Sequence, residues 1–169
     1  MKTPTEISKI FIPLKGLKCW HVSSGGAAGS TIQLALGNKI ERSIPLKNRA
    51  HSDEFRRFEG EASLLVWCAW RLDGPDRPLT SWDDAEESID TGLAQLVGTQ
   101  ITSLEVLAPA WDLSIEFSNS LVLRVFCDHV PGEPSFHGNW DLRTRTACIA
   151  MGPGATFKIE DRTQVSQEA

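Results

Sequence analysis

The sequence predicts an α+β fold dominated by antiparallel strands, and three observations carry that expectation. Apolar and polar residues alternate with a period of two over much of the chain, turn residues such as Gly37-Asn38 and Ser118-Asn119-Ser120 punctuate the alternating runs, and a single stretch has a clear helical period. At 169 residues the chain is long enough for one domain to bury a core without disulfides or metals. Its 41% hydrophobic and 23% charged residues exclude a disordered chain for most of that length. One domain is expected over 9–161, with loose ends at 1–8 and 162–169.

The first candidate motif is the glycine-rich "SSGGAAGST", Ser23 to Thr31. Ile32, Leu34 and Leu36 alternate against Thr31, Gln33 and Ala35, and a Gly37-Asn38 turn is expected next. A strand therefore follows the glycines, and Gly29 rather than lysine precedes Ser30, so a phosphate cradle of the P-loop kind does not fit and the stretch reads as a hairpin loop. "LKNRAHSDEFRRF", from Leu46 to Phe58, reads as a polar connection with a helical turn. "ASLLVWCAWRL" is apolar at both parities, Leu64, Val66, Cys68 and Trp70 on one face and Leu65, Trp67 and Ala69 on the other, which predicts a central strand covered on both sides.

"SWDDAEESIDTGLAQLVG" predicts a helix over 82–96, with Ser81 as N-cap, Asp84 three residues on, and Gly98 as the stop. Trp82, Ala85, Ile89, Leu93 and Leu96 form its apolar stripe. The clearest strands come last: Trp111, Leu113, Ile115 and Phe117, then Leu121, Leu123, Val125 and Cys127, form a hairpin around Asn119. These segments echo one another. Ile32, Leu34 and Leu36 match Leu113, Ile115 and Phe117 at an offset of 81, "LKG" at Leu14 matches "LVG" at Leu96 at 82, and "FEGEASL" at Phe58 matches "FHGNWDL" at Phe136 at 78. Two similar β-hairpin units, about 14–72 and 96–150, with one amphipathic helix between them are expected.

No apolar run is long enough to cross a bilayer, and "MKTPTEISKI" lacks the apolar centre of a secretory signal, so a cytoplasmic protein is expected. Cys19, Cys68, Cys127 and Cys148 stand singly and read as reduced, buried thiols. Residues 1–60 hold ten Lys/Arg and five Asp/Glu while 61–169 hold seven and seventeen, so a net charge of −5 conceals a basic and an acidic half. Cys127, Asp128, His129 and His137 do not follow a recognised zinc spacing, and no metal or cofactor is expected. His51 with Asp53 and Glu54 could make a general base, but no nucleophile motif accompanies it. The Arg/Lys stretch around Arg49, Arg56 and Arg57 lacks the interleaved aromatics of a nucleic-acid platform.

Asp83, Asp84, Glu87 and Asp90 lie largely off the apolar stripe of the predicted helix with no basic residue at i+4, and make the candidate partner-binding face. "GLKCWHV", "GSTIQLALG", "GEASLLVWCAWRL", "LVGTQITSLEV", "WDLSIEFSNSLVLRVF" and "NWDL" together resemble an uncharacterised family of small β-rich bacterial proteins, over about residues 14–150. Some members accompany toxin or defence systems, so the resemblance implies an immunity, antitoxin or accessory role and carries over no catalytic residue. The expectation is a non-enzymatic protein-binding domain docking on a basic partner protein through its acidic helix face. The alternatives are a small-ligand or nucleotide-binding domain, an enzyme included, with a Trp-lined cleft near Arg49, His51 or His129, and a self-associating subunit of a larger assembly.

Overall fold

In the computed structural model of the chain, residues 4–24, 31–132 and 138–162 are described. Helix α1 (Pro4–Phe11) leads through a 3-10 turn into β1 (Cys19–Ser24), β2 (Ile32–Glu41), α2 (Asp53–Arg57), β3 (Phe58–Val66), β4 (Ala69–Asp73) and β5 (Pro78–Ser81). Helix α3 (Glu86–Ala94) is followed by β6 (Ile101–Leu107), β7 (Asp112–Phe117), β8 (Val122–Phe126), β9 (Trp140–Arg143), β10 (Ala147–Met151) and β11 (Phe157–Asp161). One sheet has the order β1-β2-β3-β9-β10-β11, the other β5-β4-β8-β7-β6, and every pairing is antiparallel. The fold is mainly antiparallel β with a few short helices, as the alternation predicts.

The alternating residues explain the core. Leu113, Ile115, Phe117, Leu121, Leu123 and Val125 are buried from one sheet, Ile32, Leu34, Leu36, Leu64, Val66 and Leu142 from the other, and all belong to one apolar cluster. β1 and β2 flank the glycine-rich stretch, with Ser24 opposite Ile32; its residues 25–30 lie outside the described residues.

Three expectations are corrected. Gly37-Asn38 is not a turn: β2 runs through it, and the register against β3 shifts between Leu36 and Lys39 while Gly37 takes φ +76°. "ASLLVWCAWRL" is not one strand, because the chain leaves the first sheet at Val66, donates the Trp67 and Cys68 N–H groups to the carbonyl of Asn139, and enters the second sheet at Ala69. Its even residues stay buried throughout and its odd residues are half-buried, so one face rather than both is covered. Residues 4–8, expected within a loose end, belong to α1, which buries Ile7 and Phe11, the latter edge-on to Trp140 with ring centroids 5.6 Å apart. The predicted helix 82–96 is shorter, spanning Glu86–Ala94, and it is one of three α-helices among the described residues rather than the single one expected.

The connections around the two sheets correspond. Gly16 donates to the Ile101 carbonyl and Gly98 to the Cys19 carbonyl, both at 2.7 Å, while Ile101 donates to Leu17 and Cys19 to Thr99. Each of these bonds has a counterpart displaced by 82 residues. Gly16 (φ +89°) and Gly98 (φ +90°) hold the left-handed conformation that glycine adopts most readily. Ahead of them, α1 with Ile7, Phe11 and Leu14 stands at the same spacing as α3 with Ile89, Leu93 and Leu96.

β4 and β9 read Trp70-Arg71-Leu72-Asp73 and Trp140-Asp141-Leu142-Arg143, with Trp and Leu buried in both and the outward charges exchanged. On β4, Asp73 accepts from Arg71 Nε (2.6 Å) and Arg124 Nε (2.7 Å). The Arg71 guanidinium first, and Arg124 after it, hold the Asp73 carboxyl below the usual carboxylate range against the opposing effect of burial. A carboxyl whose pKa is depressed on folding stabilises above its unfolded value, and that contribution disappears as pH falls through the folded value. Asp73→Asn is therefore expected to lower the thermal midpoint near neutrality, with the gap to the parent closing below about pH 4. A gap independent of pH contradicts the assignment.

Helix α3 packs on β5 at Gly92, where an added Cβ would stand 2.4 Å from Thr80 Cγ2. Alanine gains about 1 kcal/mol in helix propensity over glycine, whereas overpacking a rigid β-branched neighbour costs about 1–3 kcal/mol. Gly92→Ala is expected to lower stability in denaturant titration, and Thr80→Ser, which removes Cγ2 and keeps the hydroxyl, to restore much of it. A stabilised Gly92→Ala single variant would refute this packing.

Candidate functional site

The acidic face divides into carboxylates used by the fold and carboxylates left to solvent. Asp84 Oδ2 accepts from the Ser81 N–H (2.7 Å) and the Thr80 hydroxyl (3.1 Å). This is the reaching-back half of a capping box, but it holds residues 81–84 as a tight turn, so α3 starts only after Ala85 and Ser81 belongs to β5 instead of capping the helix. Asp90 Oδ1 accepts from the Ser24 hydroxyl at 2.6 Å, fastening α3 to β1. Asp83 and Glu87 are exposed, as is Glu86, and none of the three forms an ion pair among the described residues.

The shortened helix relocates Trp82. Expected on the buried stripe with Ile89, Leu93 and Leu96, it sits in the turn ahead of α3 and is 47% exposed. Trp70, Trp111 and Trp140 are buried, and Trp20 and Trp67 are half-buried. Trp82, Asp83, Glu86 and Glu87 thus place one exposed indole and three exposed carboxylates within the turn ahead of α3 and its first turn. Glu86 and Glu87 also lie in the first turn of α3, where the helix dipole favours negative charge.

The remaining sequence candidates serve structural ends. Asp53 pairs with Arg56, Glu54 pairs with Lys39, and His51 packs against the Phe55 ring at 5.0 Å, so His51 does not meet a free carboxylate of this trio. His21 stacks on the same Phe55 at 4.0 Å, and burial, reinforced by His51, lowers its pKa. Cys127 donates through Sγ to the Trp111 carbonyl and through its N–H to Asp112. The neighbouring Cys127 thiol and burial push the Cys68 thiol far up in pKa, so it is no nucleophile at neutral pH. His129 donates its N–H to the Asn139 side chain, and His137 lies outside the described residues. All four cysteines are free thiols, Cys19 and Cys68 buried and Cys127 and Cys148 half-buried.

Among the described residues, no three His, Cys, Asp or Glu side chains stand together as a metal site, and no helix is long and apolar enough to cross a membrane. Arg49 is exposed on the connection before α2. Two surface depressions lie on the outer faces of the sheets, one over each, and neither is lined by tryptophan. The Trp-lined cleft is therefore not at either of them. Comparison with family models, curated proteins and solved structures finds no match to this chain.

Proposed function

We propose that this chain is a non-enzymatic binding protein of the immunity or antitoxin type, docking on a basic partner protein through Trp82, Asp83, Glu86 and Glu87. The observation that carries the reading is the exposure of Trp82 among carboxylates that no described cation neutralises. A large aromatic side chain left in water costs hydration free energy that a partner recovers, and tryptophan is enriched among the residues that dominate interface energies. The flanking carboxylates steer a basic surface toward it and suppress wrong partners. The resemblance to an uncharacterised family of small bacterial proteins, some of which accompany toxin or defence systems, points the same way. Recovery of the tagged protein from extracts of its host tests it: a stoichiometric basic protein retained at low salt and released at high salt is expected, and recovery of the chain alone at both counts against it.

We also infer that the chain consists of two like units, each opening with a helix, passing through a three-stranded meander and then crossing to the opposite sheet. The reciprocal bonds between 16–19 and 98–101 support this, as do the matching strand orders and the Trp-x-Leu pairs of β4 and β9. The units then differ chiefly in their surfaces.

A further inference from the structure

The outer face of the six-stranded sheet carries a cavity of about 280 Å³ whose lining includes Arg42, Arg143, Arg145, Arg162, Glu59 and Glu61. These side chains come from the residue after β2, from β3 and β9, from the β9–β10 turn and from the residue after β11, so only the folded sheet brings them together. Arg42 is held in place, with Nε donating to the Phe55 carbonyl (3.3 Å), Nη1 to Glu59 (3.3 Å), and the guanidinium 5.2 Å over the Phe55 ring. Arg162 Nη1 donates to the Thr144 carbonyl at 3.1 Å, and Glu61 accepts from the Asn38 N–H. Arg143, Arg145 and Arg162 form no ion pair among the described residues.

The opposite sheet shows what an internally balanced version of this arrangement looks like. There Asp73 occupies the β4 position that Arg143 takes in β9, and it is clasped by Arg71 and Arg124. Arg143 stands directly opposite Ser63 and Cys148, and Asp141, two residues before it on β9, accepts from the Trp67 indole N–H (3.2 Å) and forms no ion pair with Arg143. Four arginines against two glutamates leave the cavity two positive charges in excess.

We propose that this cavity binds a small phosphate-bearing anion. A phosphate group carries about −1.5 to −2 charge at neutral pH and presents three acceptor oxygens, which matches both the excess charge and several forked guanidinium donors. A carboxylate offers one charge and two oxygens and leaves the site unbalanced. The volume falls near the small end of ligand sites and fits a phosphomonoester or pyrophosphate rather than a polymer. This proposal stands apart from the docking surface around Trp82.

The test is calorimetric titration of the full chain with inorganic phosphate and with pyrophosphate at constant ionic strength, using succinate as the carboxylate control. Saturable binding of at least one phosphate species is expected. Arg143→Ala and Arg145→Ala, both at exposed side chains that the fold does not use in ion pairs, should each weaken it about tenfold or more, as for a lost hydrogen bond to a charged group. Arg77→Ala, on the turn between β4 and β5, should leave it unchanged. Absence of saturable heat, equal affinity in the Arg143 and Arg145 variants, or succinate binding as tightly as phosphate would each overturn the proposal.

Discussion

Replacing Trp140 by alanine is expected to lower stability by about 3–5 kcal/mol, the range for emptying a buried tryptophan site. The side chain is completely buried, meets Phe11 of α1 edge-on, and donates its indole N–H to the Trp111 carbonyl at 3.1 Å. That carbonyl belongs to a residue held at φ +68° whose own indole N–H donates to Ala155, so three segments converge on one ring. For a chain of this length each kcal/mol moves the thermal midpoint by roughly 2–4 °C, so a fall on the order of 10 °C is expected. Trp140→Phe keeps most of the packing and loses one hydrogen bond, which costs about 1 kcal/mol plus the smaller ring volume. Chemical denaturation of the two variants checks the order. Equal losses would mean that the hydrogen bond, not the packing, anchors α1.

The second large effect concerns binding, with a stability cost of about 1 kcal/mol from reversing Glu87 in the first turn of α3. Trp82→Ala combined with Asp83→Lys and Glu87→Lys removes the exposed indole and reverses two charges, none of which the fold uses among the described contacts of these side chains. Loss of an interface tryptophan alone costs about 2 kcal/mol or more, which is roughly thirtyfold in affinity, and the reversed charges act chiefly on the association rate. Asp84 and Asp90 behave differently. Their bonds to Ser81, Thr80 and Ser24 make them structural, so Asp84→Ala is destabilising by about 1 kcal/mol whatever its effect on a partner.

These contrasts show where the sequence is informative. The hairpin of β7 and β8 is legible because its odd residues all face the core and its even residues do not. The crossing from β3 to β4 is hidden for the same reason: both sheets enclose one core, so Leu64, Val66, Cys68, Trp70 and Leu72 keep their parity through the bend. Only the two N–H groups given to Asn139 mark the departure, and they depend on a residue some seventy positions away. Helix α1 is short enough to escape a periodicity search, yet extending the offset of 82 backwards sets Ile7, Phe11, Leu14 and Gly16 against Ile89, Leu93, Leu96 and Gly98.

The acidic cluster is visible as composition, but its division into structural and exposed carboxylates is not. That division is decided by the turn at 81–84 and by Ser24, a residue of another strand. Helical spacing extended back through that turn puts Trp82 on the buried stripe, whereas the turn leaves it exposed. The arginine cavity is scattered over 120 residues and leaves no local pattern. One trace of it exists in the sequence, the exchange of Arg71 and Asp73 for Asp141 and Arg143 in otherwise similar tetrapeptides.

The most direct test recovers the tagged parent and the Trp82→Ala/Asp83→Lys/Glu87→Lys variant side by side from the same host extract at low salt, with co-purifying proteins quantified by mass spectrometry. One basic protein at a stoichiometric ratio with the parent, and its near-complete loss from an equally folded variant, is the expected result. Equal recovery of every protein with both chains would contradict docking through this surface.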